Sequence, residues 1–475
     1  MKKYAWYILL LGSCVENSYC QDSHYATYQF GTRSSLMGGA VIGYARDNTS
    51  IFYNPGSLSF VDSNSITITA NMYQMERYRI KDANANQKDL SSSQIGSVPL
   101  MVGGMLGQGK NRLKIGYGVI SPVNFTFSTT SRVSGLFPVV NEAESPGEEE
   151  FVGQSNINSR LNEVTGIIGI GFKINEHWGV GYSNMLTGRN QDFNRNTIAR
   201  YFLNDGNNSL STFSYGRSAS YFHVRYTGKL GVCYRRKRFT AGLAITPPTI
   251  GIMGSGIVTA DVVGTNVLYE GSRTNILLND RQEELKVIYK TPFNIAIGSN
   301  WNHRRWTFGV SLEFYGRQKT YTVMNAQASG LVLPASFYPN LGGSNFLRQK
   351  DGAKSVLNFG LASELIVLRN LNLVCSFRTN RSFYDHGLDQ WEGIKTEVTT
   401  WNIYHIRAGA IIKQGHSQLC FGFLYAFGSD ANRPQTGEYS VPDETQFLKP
   451  QTANSKASYS SLGFVLGYSF LLFDL

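Results

Sequence analysis

Apolar and polar residues alternate with a period of two along most of the chain. From Leu462 to Leu472 the even positions carry large apolar side chains, whereas the odd positions from Ser461 to Ser469 carry mostly small or polar ones. This period predicts β-strands with one apolar and one polar face. The apolar face either packs on a second sheet of a water-soluble sandwich or contacts lipid around an outer-membrane barrel.

The lengths of the connections separate these two possibilities. Alternation places strands near residues 65–79, 95–106, 112–128, 155–173, 177–189, 220–234, 239–254, 284–301, 305–320, 354–368, 371–382, 400–413, 417–428 and 456–473. Short turns such as Asn175-Glu176 and Arg369-Asn370 then alternate with long polar loops such as Thr129–Gln154 and Asn190–Ala219. Short periplasmic turns and long external loops are typical of bacterial outer-membrane barrels. The chain is therefore predicted to be all-β, a transmembrane antiparallel β-barrel of about 14 strands.

Aromatic residues near the ends of several predicted strands agree with this prediction. Trp178, Trp301, Trp306, Trp401 and Phe473 are expected to form the girdles at the two membrane interfaces. The short turns fix the orientation, because they belong on the periplasmic side of such a barrel.

The N-terminus has the features of a secretion signal. Met1-Lys2-Lys3 is basic, Tyr4–Gly12 is apolar, and a short polar stretch leads to Cys20. This pattern predicts a signal peptide over residues 1–20 that is removed near Cys20, because the apolar run is too short to span a bilayer. Lipoprotein processing at Cys14 and a first strand of the folded core are the alternatives. The chain is expected to be exported to the bacterial outer membrane.

The segment after the signal has no strand alternation, yet it is too apolar for a tail in water. It runs through Ser34–Ala40 and Asp47–Gly56. A compact, Gly-rich apolar segment ahead of a membrane barrel suggests a plug. Residues 21–63 are therefore predicted to form a hatch in the lumen, and residues 64–475 the barrel. Within the hatch, Asn54-Pro55-Gly56 predicts a tight turn, since Asn and Gly tolerate unusual backbone angles and Pro fixes its own φ.

The composition limits which partners and covalent cross-links the chain is expected to have. The 475 residues are 13% aromatic and only 16% charged, with a formal net charge of +11. The dense basic cluster Tyr234–Arg238 lies between two apolar strands and is expected to be a solvated hairpin turn, so no nucleic-acid partner is predicted. Cys233, Cys375 and Cys420 remain after the predicted cleavage, each inside a predicted strand, and no disulfide framework is expected.

Sequence motifs of the common enzyme classes are missing. The chain contains no Gly-x-Ser-x-Gly, His-Glu-x-x-His or Cys-x-x-Cys sequence, and no phosphate-binding Gly-rich loop followed by Lys-Ser/Thr. Its histidines are dispersed along the chain. No enzymatic activity, cofactor or metal site is therefore predicted.

The hatch sequence resembles that of a known family, the FadL/TodX-type outer-membrane transporters of long-chain fatty acids and other hydrophobic compounds. Asp47–Leu58 is similar to the family pattern Asp-x-x-x-x-x-Tyr-Asn-Pro-Ala, with Gly56 in place of the alanine, and Gly38-Gly39-Ala40 is similar to its small-residue run. Gly116–Pro122 resembles the third strand, where the family has a kink that opens the wall sideways. Two further segments resemble later strands of the family, namely Leu243–Pro248 and Lys290–Phe293.

The resemblance implies passive uptake of a hydrophobic small molecule or fatty acid, through the hatch and a lateral opening of the wall. It assigns ligand binding and gating to the hatch residues Phe52, Tyr53, Asn54, Pro55, Gly56, Leu58 and Phe60, and the lateral opening to Ser121 and Pro122. Among residues expected to face the lumen, the cations Lys286, Lys290 and Arg407 are candidates to meet a carboxylate; an ion-pair network that anchors the plug is the alternative. Contact with outer-membrane lipid or lipopolysaccharide, and a monomeric barrel, are also expected.

Two other functions stay open at this point. The barrel could be a non-transporting anchor whose long extracellular loops bind a partner. A membrane-embedded lipid hydrolase is a third class, which the missing nucleophile motif disfavours. Transport predicts an apolar pocket between hatch and wall, whereas a lumen filled by polar side chains, with no pocket, would contradict it.

Overall fold

The computed structural model describes residues 20–21, 23–25, 27–61, 65–83, 89–106, 112–140, 143–269, 272–327, 330–333, 344–388, 393–434, 442–444 and 454–471. Most of the predicted signal peptide, the predicted turn at residues 107–111 and Phe473 lie outside these residues.

The described residues form a closed antiparallel barrel of 14 strands, as the alternation and loop lengths predict. The strands, here named β1 to β14, are β1 Ser65–Lys81, β2 Leu90–Leu106, β3 Leu113–Phe137, β4 Glu149–Lys173, β5 Trp178–Phe202, β6 Leu210–Arg236, β7 Phe239–Thr246 with Ile250–Tyr269, β8 Ser272–Lys286 with Asn294–His303, β9 Trp306–Tyr315, β10 Val356–Leu368, β11 Leu371–Asn380, β12 Asn402–Gln414, β13 Ser417–Pro434 and β14 Asn454–Leu471. The ring closes where β1 pairs with β14, from Ser65 opposite Leu471 to Lys81 opposite Lys456.

Short elements lie at the outer end of the barrel. Gln318–Met324 pairs with Gln349–Ala353 and lengthens the hairpin of β9 and β10, while Leu331–Leu333 adds to the outer part of β8. Cys20–Gln21 runs parallel to Glu397–Val398. One helical turn at Ser344–Leu347 and a 3₁₀ turn at His386–Leu388 complete the connections.

A belt of exposed apolar side chains surrounds the barrel. Its members include Ile66, Ile68, Val102, Ile115, Tyr117, Val119, Ile168, Ile170, Leu230, Ile245, Ile297, Phe308, Leu361, Leu373, Ile406, Phe421, Phe423 and Leu466. Exposing so large an apolar surface to water is unfavourable, whereas its contact with lipid is favourable. The closed barrel and this belt therefore place the protein in a bacterial outer membrane. Within the described residues, no helix has the length and apolar character needed to cross a bilayer.

The predicted aromatic girdle is correct in part. Trp178, Trp301 and Trp306 are exposed near the short turns, which suits a periplasmic interface. Trp401 is only 1% exposed, so its assignment to a girdle is wrong. It precedes β12 and turns into the lumen, where its carbonyl oxygen lies 2.9 Å from His24 Nε2.

One side of the barrel is taller than the alternation predicted. Strands β3 to β6 have 25 to 27 residues each, so the predicted loops Thr129–Gln154 and Asn190–Ala219 are largely β-structure. Their outer faces carry polar residues above the lipid belt, and therefore lack the apolar alternation of a membrane strand. Their inner faces pack on segments that fold back into the lumen.

Two strands are broken at prolines, and one break corrects a prediction. Pro247-Pro248 interrupts β7, and residues 287–293, which include Pro292, interrupt β8. The irregular segment turns Val287 and Tyr289 inward and leaves Lys286 and Lys290 exposed. The prediction that these two lysines face the lumen is therefore wrong. The alternation of inward and outward side chains shifts by one residue where proline interrupts the strand.

The N-terminal segment 27–61 lies inside the barrel, and we call it the hatch. Three short helices, α1 Thr32–Leu36, α2 Ser50–Tyr53 and α3 Pro55–Leu58, form its core and contact the wall. After α1 the chain reverses through Gly38 and Gly39, whose φ angles of 58° and 76° favour glycine.

Glycines of the wall make room for the hatch. A Cβ at Gly181 would lie 2.2 Å from the Pro55 oxygen, one at Gly231 2.2 Å from Asn54 Oδ1, and one at Gly242 2.1 Å from the Ile42 oxygen. These distances are shorter than van der Waals contact, so the Pro55 and Ile42 carbonyl groups and the Asn54 side chain lie directly against the backbone of the wall. The close contact between hatch and wall is thus one structural reason for the abundance of glycine in the sequence.

We expect Gly181→Ala to loosen the hatch, because the added methyl group collides with the Pro55 carbonyl. Overpacking of this kind costs about 1–3 kcal/mol. Thermal unfolding of the purified protein in detergent, and the rate of proteolysis within the hatch, would measure the effect. Gly166→Ala is the matched control, since a Cβ there meets nothing within 4 Å. Equal stability of the two variants would contradict the close packing of the hatch against the wall at Gly181.

Candidate functional site

Asn54 fixes the hatch to the wall. Its Oδ1 accepts a hydrogen bond of 3.0 Å from the Gly56 backbone N–H and so caps α3. Its Nδ2 donates to the Ile42 oxygen at 2.8 Å and to the Val232 oxygen of β6 at 3.0 Å. The sequence predicted a turn here, and the side chain also ties two parts of the hatch to the barrel.

Most other predicted hatch residues also face protein. Tyr53, Pro55, Gly56, Leu58 and Phe60 are all buried. The Tyr53 hydroxyl donates to Gln29, and a Cβ at Gly56 would lie 2.8 Å from the Gly231 backbone. The glycine that replaces the family's alanine is therefore required by the close approach to the wall. A role of these residues in ligand binding or gating stays a prediction.

Phe52 differs from the other six predicted hatch residues, because it is only half-buried. Its ring meets the Phe30 and Tyr53 rings edge-on, with centroids 4.9 and 5.1 Å away. Lys229 Nζ lies 4.6 Å from the Phe52 ring centroid and donates to the Phe52 carbonyl oxygen at 2.5 Å. Phe52 and Lys229 thus form the part of the hatch top at which an amphiphilic ligand could make contact.

Apolar side chains of the wall continue this surface. Ile120 on β3, Ile167 on β4 and Met185 on β5 are buried in the same cluster as the hatch, and Phe52 packs against it. A second apolar cluster, which we call the outer cluster, lies nearer the extracellular end. It includes Tyr78, Phe125, Phe127, Phe193, Tyr221, Phe346 and Trp401.

Ionised side chains separate the two clusters. On β4 and β5, Glu163 and Arg189 lie in sequence between residues of the hatch cluster and residues of the outer cluster. Glu163 pairs with Arg189 and with Arg225 of β6, each at 2.8 Å, and Arg189 stacks 3.9 Å from the Tyr289 ring centroid. These ion pairs form a polar layer on the inner face of the neighbouring strands β4 to β6, where all three ionised side chains are buried.

Other inward-facing charges hold the hatch, which favours the anchoring alternative for them. Arg407 Nη1 donates to the Ser35 carbonyl oxygen at 2.7 Å, and Arg33 of the hatch pairs with Glu364 at 2.8 Å. Lys229 is different. Among the described residues no carboxylate lies within ion-pair distance of Lys229, although it is buried.

The wall splits between β2 and β3. Their ladder runs from Leu106 opposite Ile115 to Met101 opposite Ile120, and then stops although both strands continue. On the other side of β3 the pairing with β4 is irregular between Ile120 and Val123, where the predicted residues Ser121 and Pro122 lie. The run of exposed apolar residues at alternate positions of β3 extends from Leu113 to Val119, with Leu136 alone near the far end of the strand, so the split begins at the upper part of the lipid belt.

Pro99 lies across the split from Pro122 and is not among the predicted site residues. The pairing of β2 with β1 is irregular beside it, where Thr69 faces Met101 and Ala70 faces Pro99. A proline cannot donate a ladder hydrogen bond, so proline within a strand marks a bulge or an edge. That signal was present in the sequence at Pro99 as it was at Pro122.

Above the break, side chains reach the backbone of β3. Gln94 Nε2 donates to the Thr126 oxygen at 2.9 Å, and Ser92 Oγ accepts from the Ser128 N–H at 3.1 Å. From the hatch, the Tyr28 hydroxyl donates to the Asn124 oxygen at 3.0 Å. No local sequence pattern predicts these contacts, because they depend on where the two strands separate.

Metal and disulfide chemistry find no support in the described residues. They contain no group of three or more His, Cys, Asp or Glu side chains that could hold a metal ion. Cys233, Cys375 and Cys420 are free thiols; the first and last are buried, and Cys375 is exposed on the wall.

Comparison with known proteins adds the fold. No protein-family model and no curated protein matches the chain. The toluene transporter TodX of P. putida matches with 13% identity over 94% of this chain and 99% of that one, at a TM-score of 0.57. A Pseudomonas aeruginosa FadL homologue matches with 8% identity over 94% and 99%, also at 0.57. The toluene transporter TbuX of Ralstonia pickettii matches with 11% identity over 94% and 99%, at 0.51.

At these identities the similarity establishes the architecture. The chain has the FadL/TodX-type fold, so the fold implied by the hatch sequence is confirmed. TodX and TbuX are toluene transporters by name, and the similarity extends to this chain the fold alone.

We expect the docking of the hatch to weaken as pH rises from about 4 to about 6, through Asp47. Burial raises the pKa of Asp47 to about 6, above its ordinary value of 3.8. Its Oδ1 accepts from the backbone N–H and hydroxyl of Thr49, while its Oδ2 is buried without a partner. A raised pKa in the folded state means that folding favours the protonated carboxyl. The added stability is therefore complete below the pKa of the unfolded chain, and it is lost as the pH rises through the pKa of the folded protein.

Hydrogen exchange of the hatch amides between pH 4 and 7, corrected for intrinsic rates, measures this dependence. Asp47→Asn keeps an oxygen for the Thr49 hydrogen bonds but cannot titrate. We expect the variant to be protected equally across the range. The same pH dependence in Asp47→Asn would assign the effect to other groups.

Proposed function

We propose that this protein is a passive uptake channel for hydrophobic compounds, whose cargo leaves sideways through the split between β2 and β3. The observation that carries the proposal is the end of the β2–β3 ladder after Met101 and Ile120, at the height where apolar side chains line the lumen. A wall that faces lipid leaves few backbone groups unpaired, so such a break calls for an explanation. No energy source or cofactor is required, because transfer from water to an apolar surface is favourable.

Apolar surface reaches the split from two directions. Below it lie Phe52, Ile120, Ile167 and Met185, and above it the inner-face residues Phe125 and Phe127 of β3. An acyl chain or a hydrocarbon gains about 0.8 kcal/mol for each CH₂ that it buries. Both surfaces can therefore hold cargo next to the opening.

The fold comparisons support the same class of cargo. TodX and TbuX are toluene transporters by name, and a further structure with this fold is a FadL homologue. We extend to this chain only the common property, a hydrophobic small molecule. Contact with lipopolysaccharide and action as a monomer remain predictions.

Within that class, Lys229 favours amphiphiles with one carboxylate. It is a buried cation with no carboxylate within ion-pair distance among the described residues, since Glu313 acts on it only from farther away, and it lies beside the half-buried ring of Phe52. A fatty-acid carboxylate at Lys229 would supply the missing charge, with its tail along Ile120 towards the split. Lys229 thereby replaces Lys286 and Lys290 as the candidate lumen cation.

The anchor function remains the alternative, and the tall wall of β3 to β6 favours it. These strands present a broad polar face above the lipid belt, on which a partner could bind. An anchor needs neither the split nor an unpaired lumen lysine, so the two functions make different predictions.

We expect cells that carry the gene to take up labelled long-chain fatty acid and toluene faster than cells without it. Lys229→Met should lower fatty-acid uptake by about tenfold, because a charge-assisted hydrogen bond contributes about 1.5–3 kcal/mol. Toluene has no head group, so its uptake should not change. Lys237→Met, in an exposed periplasmic turn, is the matched control.

The uptake rates and the amount of barrel in the membrane decide between the alternatives. Equal uptake with and without the gene would leave only the anchor function. Equal losses for both compounds in Lys229→Met would mean that the lysine acts by holding Phe52 rather than by binding a head group.

A further inference from the structure

The two edges of the split are joined by side chains where a β-sheet would use its backbone. Gln94, Ser92 and Tyr28 each bond one backbone group of β3, at Thr126, Ser128 and Asn124 respectively. These bonds give partners to backbone groups of β3 that have lost their ladder, and so they hold the two edges of the split together in this structure. They are also fewer than a continuous ladder would supply over the same length.

Gln94 is the best-supported member of this set. Its Nε2 has two hydrogens, and both have acceptors: the Glu76 Oε2 atom and the Thr126 oxygen, each at 2.9 Å. One acceptor belongs to β1, on the continuous side of the wall, and the other belongs to β3, beyond the split. The amide is therefore a bridge between a fixed strand and a strand that has lost its ladder partner.

Glu76 is held in place from several sides. Its Oε1 accepts from Gln74 Nε2 at 2.8 Å and from the Tyr459 hydroxyl at 3.2 Å, and it is only 6% exposed. Glu76 also lies directly opposite Gln94 in the pairing of β1 with β2. A carboxylate fixed in this way orients the Gln94 amide, so that its second hydrogen points at Thr126.

We propose that Gln94, positioned by Glu76, is the latch of a lateral gate, and that its bond to the Thr126 carbonyl must break before cargo can pass between β2 and β3. Ser92 and Tyr28 support the same closed state. Since Tyr28 belongs to the hatch, a movement of the hatch also acts on the gate. This inference rests on the proposed lateral route and adds the group that regulates it.

The first test measures opening without transport. Val123→Cys places a thiol on β3 just above the break, at a site that is buried in the closed wall. It is made in a chain whose Cys233, Cys375 and Cys420 are replaced by serine or alanine, and the rate of its reaction with a maleimide is recorded. In this background Gln94→Glu presents a carboxylate to both acceptors and should speed labelling by about tenfold, which is the effect of losing one hydrogen bond.

Three further variants separate a latch from a general loss of structure. Gln94→Met removes both donors without adding charge and should also speed labelling. Glu76→Gln keeps an oxygen for Gln94 and should change labelling little, whereas Glu76→Met should behave like Gln94→Met. Gln154→Glu is the matched control, because the Gln154 amide bonds Asn156 within β4, away from the split.

The second test measures uptake of labelled fatty acid and toluene in the same variants without the reporter cysteine. The latch predicts faster uptake of both compounds wherever labelling is faster. If labelling is faster in the variants but uptake is the same in all variants and in cells without the gene, the latch is supported and the transport function is overturned. Unchanged labelling in both Gln94 variants, with normal uptake in the parent, would overturn the latch and leave transport standing.

Discussion

Pairing of backbone N–H and C=O groups inside a membrane is the constraint on which this structure depends. Lipid offers no hydrogen bonds, so a β-wall must close on itself, and here β1 pairs with β14 to do so. The same constraint gives the interrupted ladder between β2 and β3 its meaning. Where β2 and β3 separate after Met101 and Ile120, side chains of Gln94 and Ser92 replace the missing backbone partners. A side chain can release such a bond by changing rotamer, whereas a ladder bond requires two strands to move.

Closure of the barrel also determines how the hatch can behave. The inner wall is narrow enough that glycines such as Gly181 and Gly231 touch the hatch backbone directly, and Asn54 adds a hydrogen bond to the Val232 carbonyl. Contact between two backbones leaves no flexible side chain to yield. Removing the hatch would therefore break many contacts at once, while opening the split affects only a few. This difference in cost favours the wall over the hatch as the moving part.

The sequence predicted the features that depend on local pattern. The alternation near Leu462 and the rhythm of turns gave 14 strands, and the Asn54-Pro55-Gly56 run marked the hatch. Features that depend on where strands meet were missed or wrong. Lys290 was assigned to the lumen because the break at Pro292 reverses the parity of β8, and Trp401 was assigned to a girdle because the inward fold of its segment has no local signal. The bonds of Gln94 could not be predicted, since they require the separation of two strands whose sequences look paired.

The polar layer supplies a physical reason for a sideways path. Along the axis, an apolar molecule that follows the inner face of β4 to β6 from the outer cluster meets Glu163 and the arginines that pair with it. Displacing one partner of a buried ion pair leaves an uncompensated charge, which costs about 3–5 kcal/mol. The split avoids this step, because Phe125 and Phe127 line the lumen beside it, above Glu163, while lipid surrounds its outer side. Under the proposed route, the hatch closes the lumen from below, and an apolar molecule held beside Phe125 and Phe127 passes sideways through the split into the membrane.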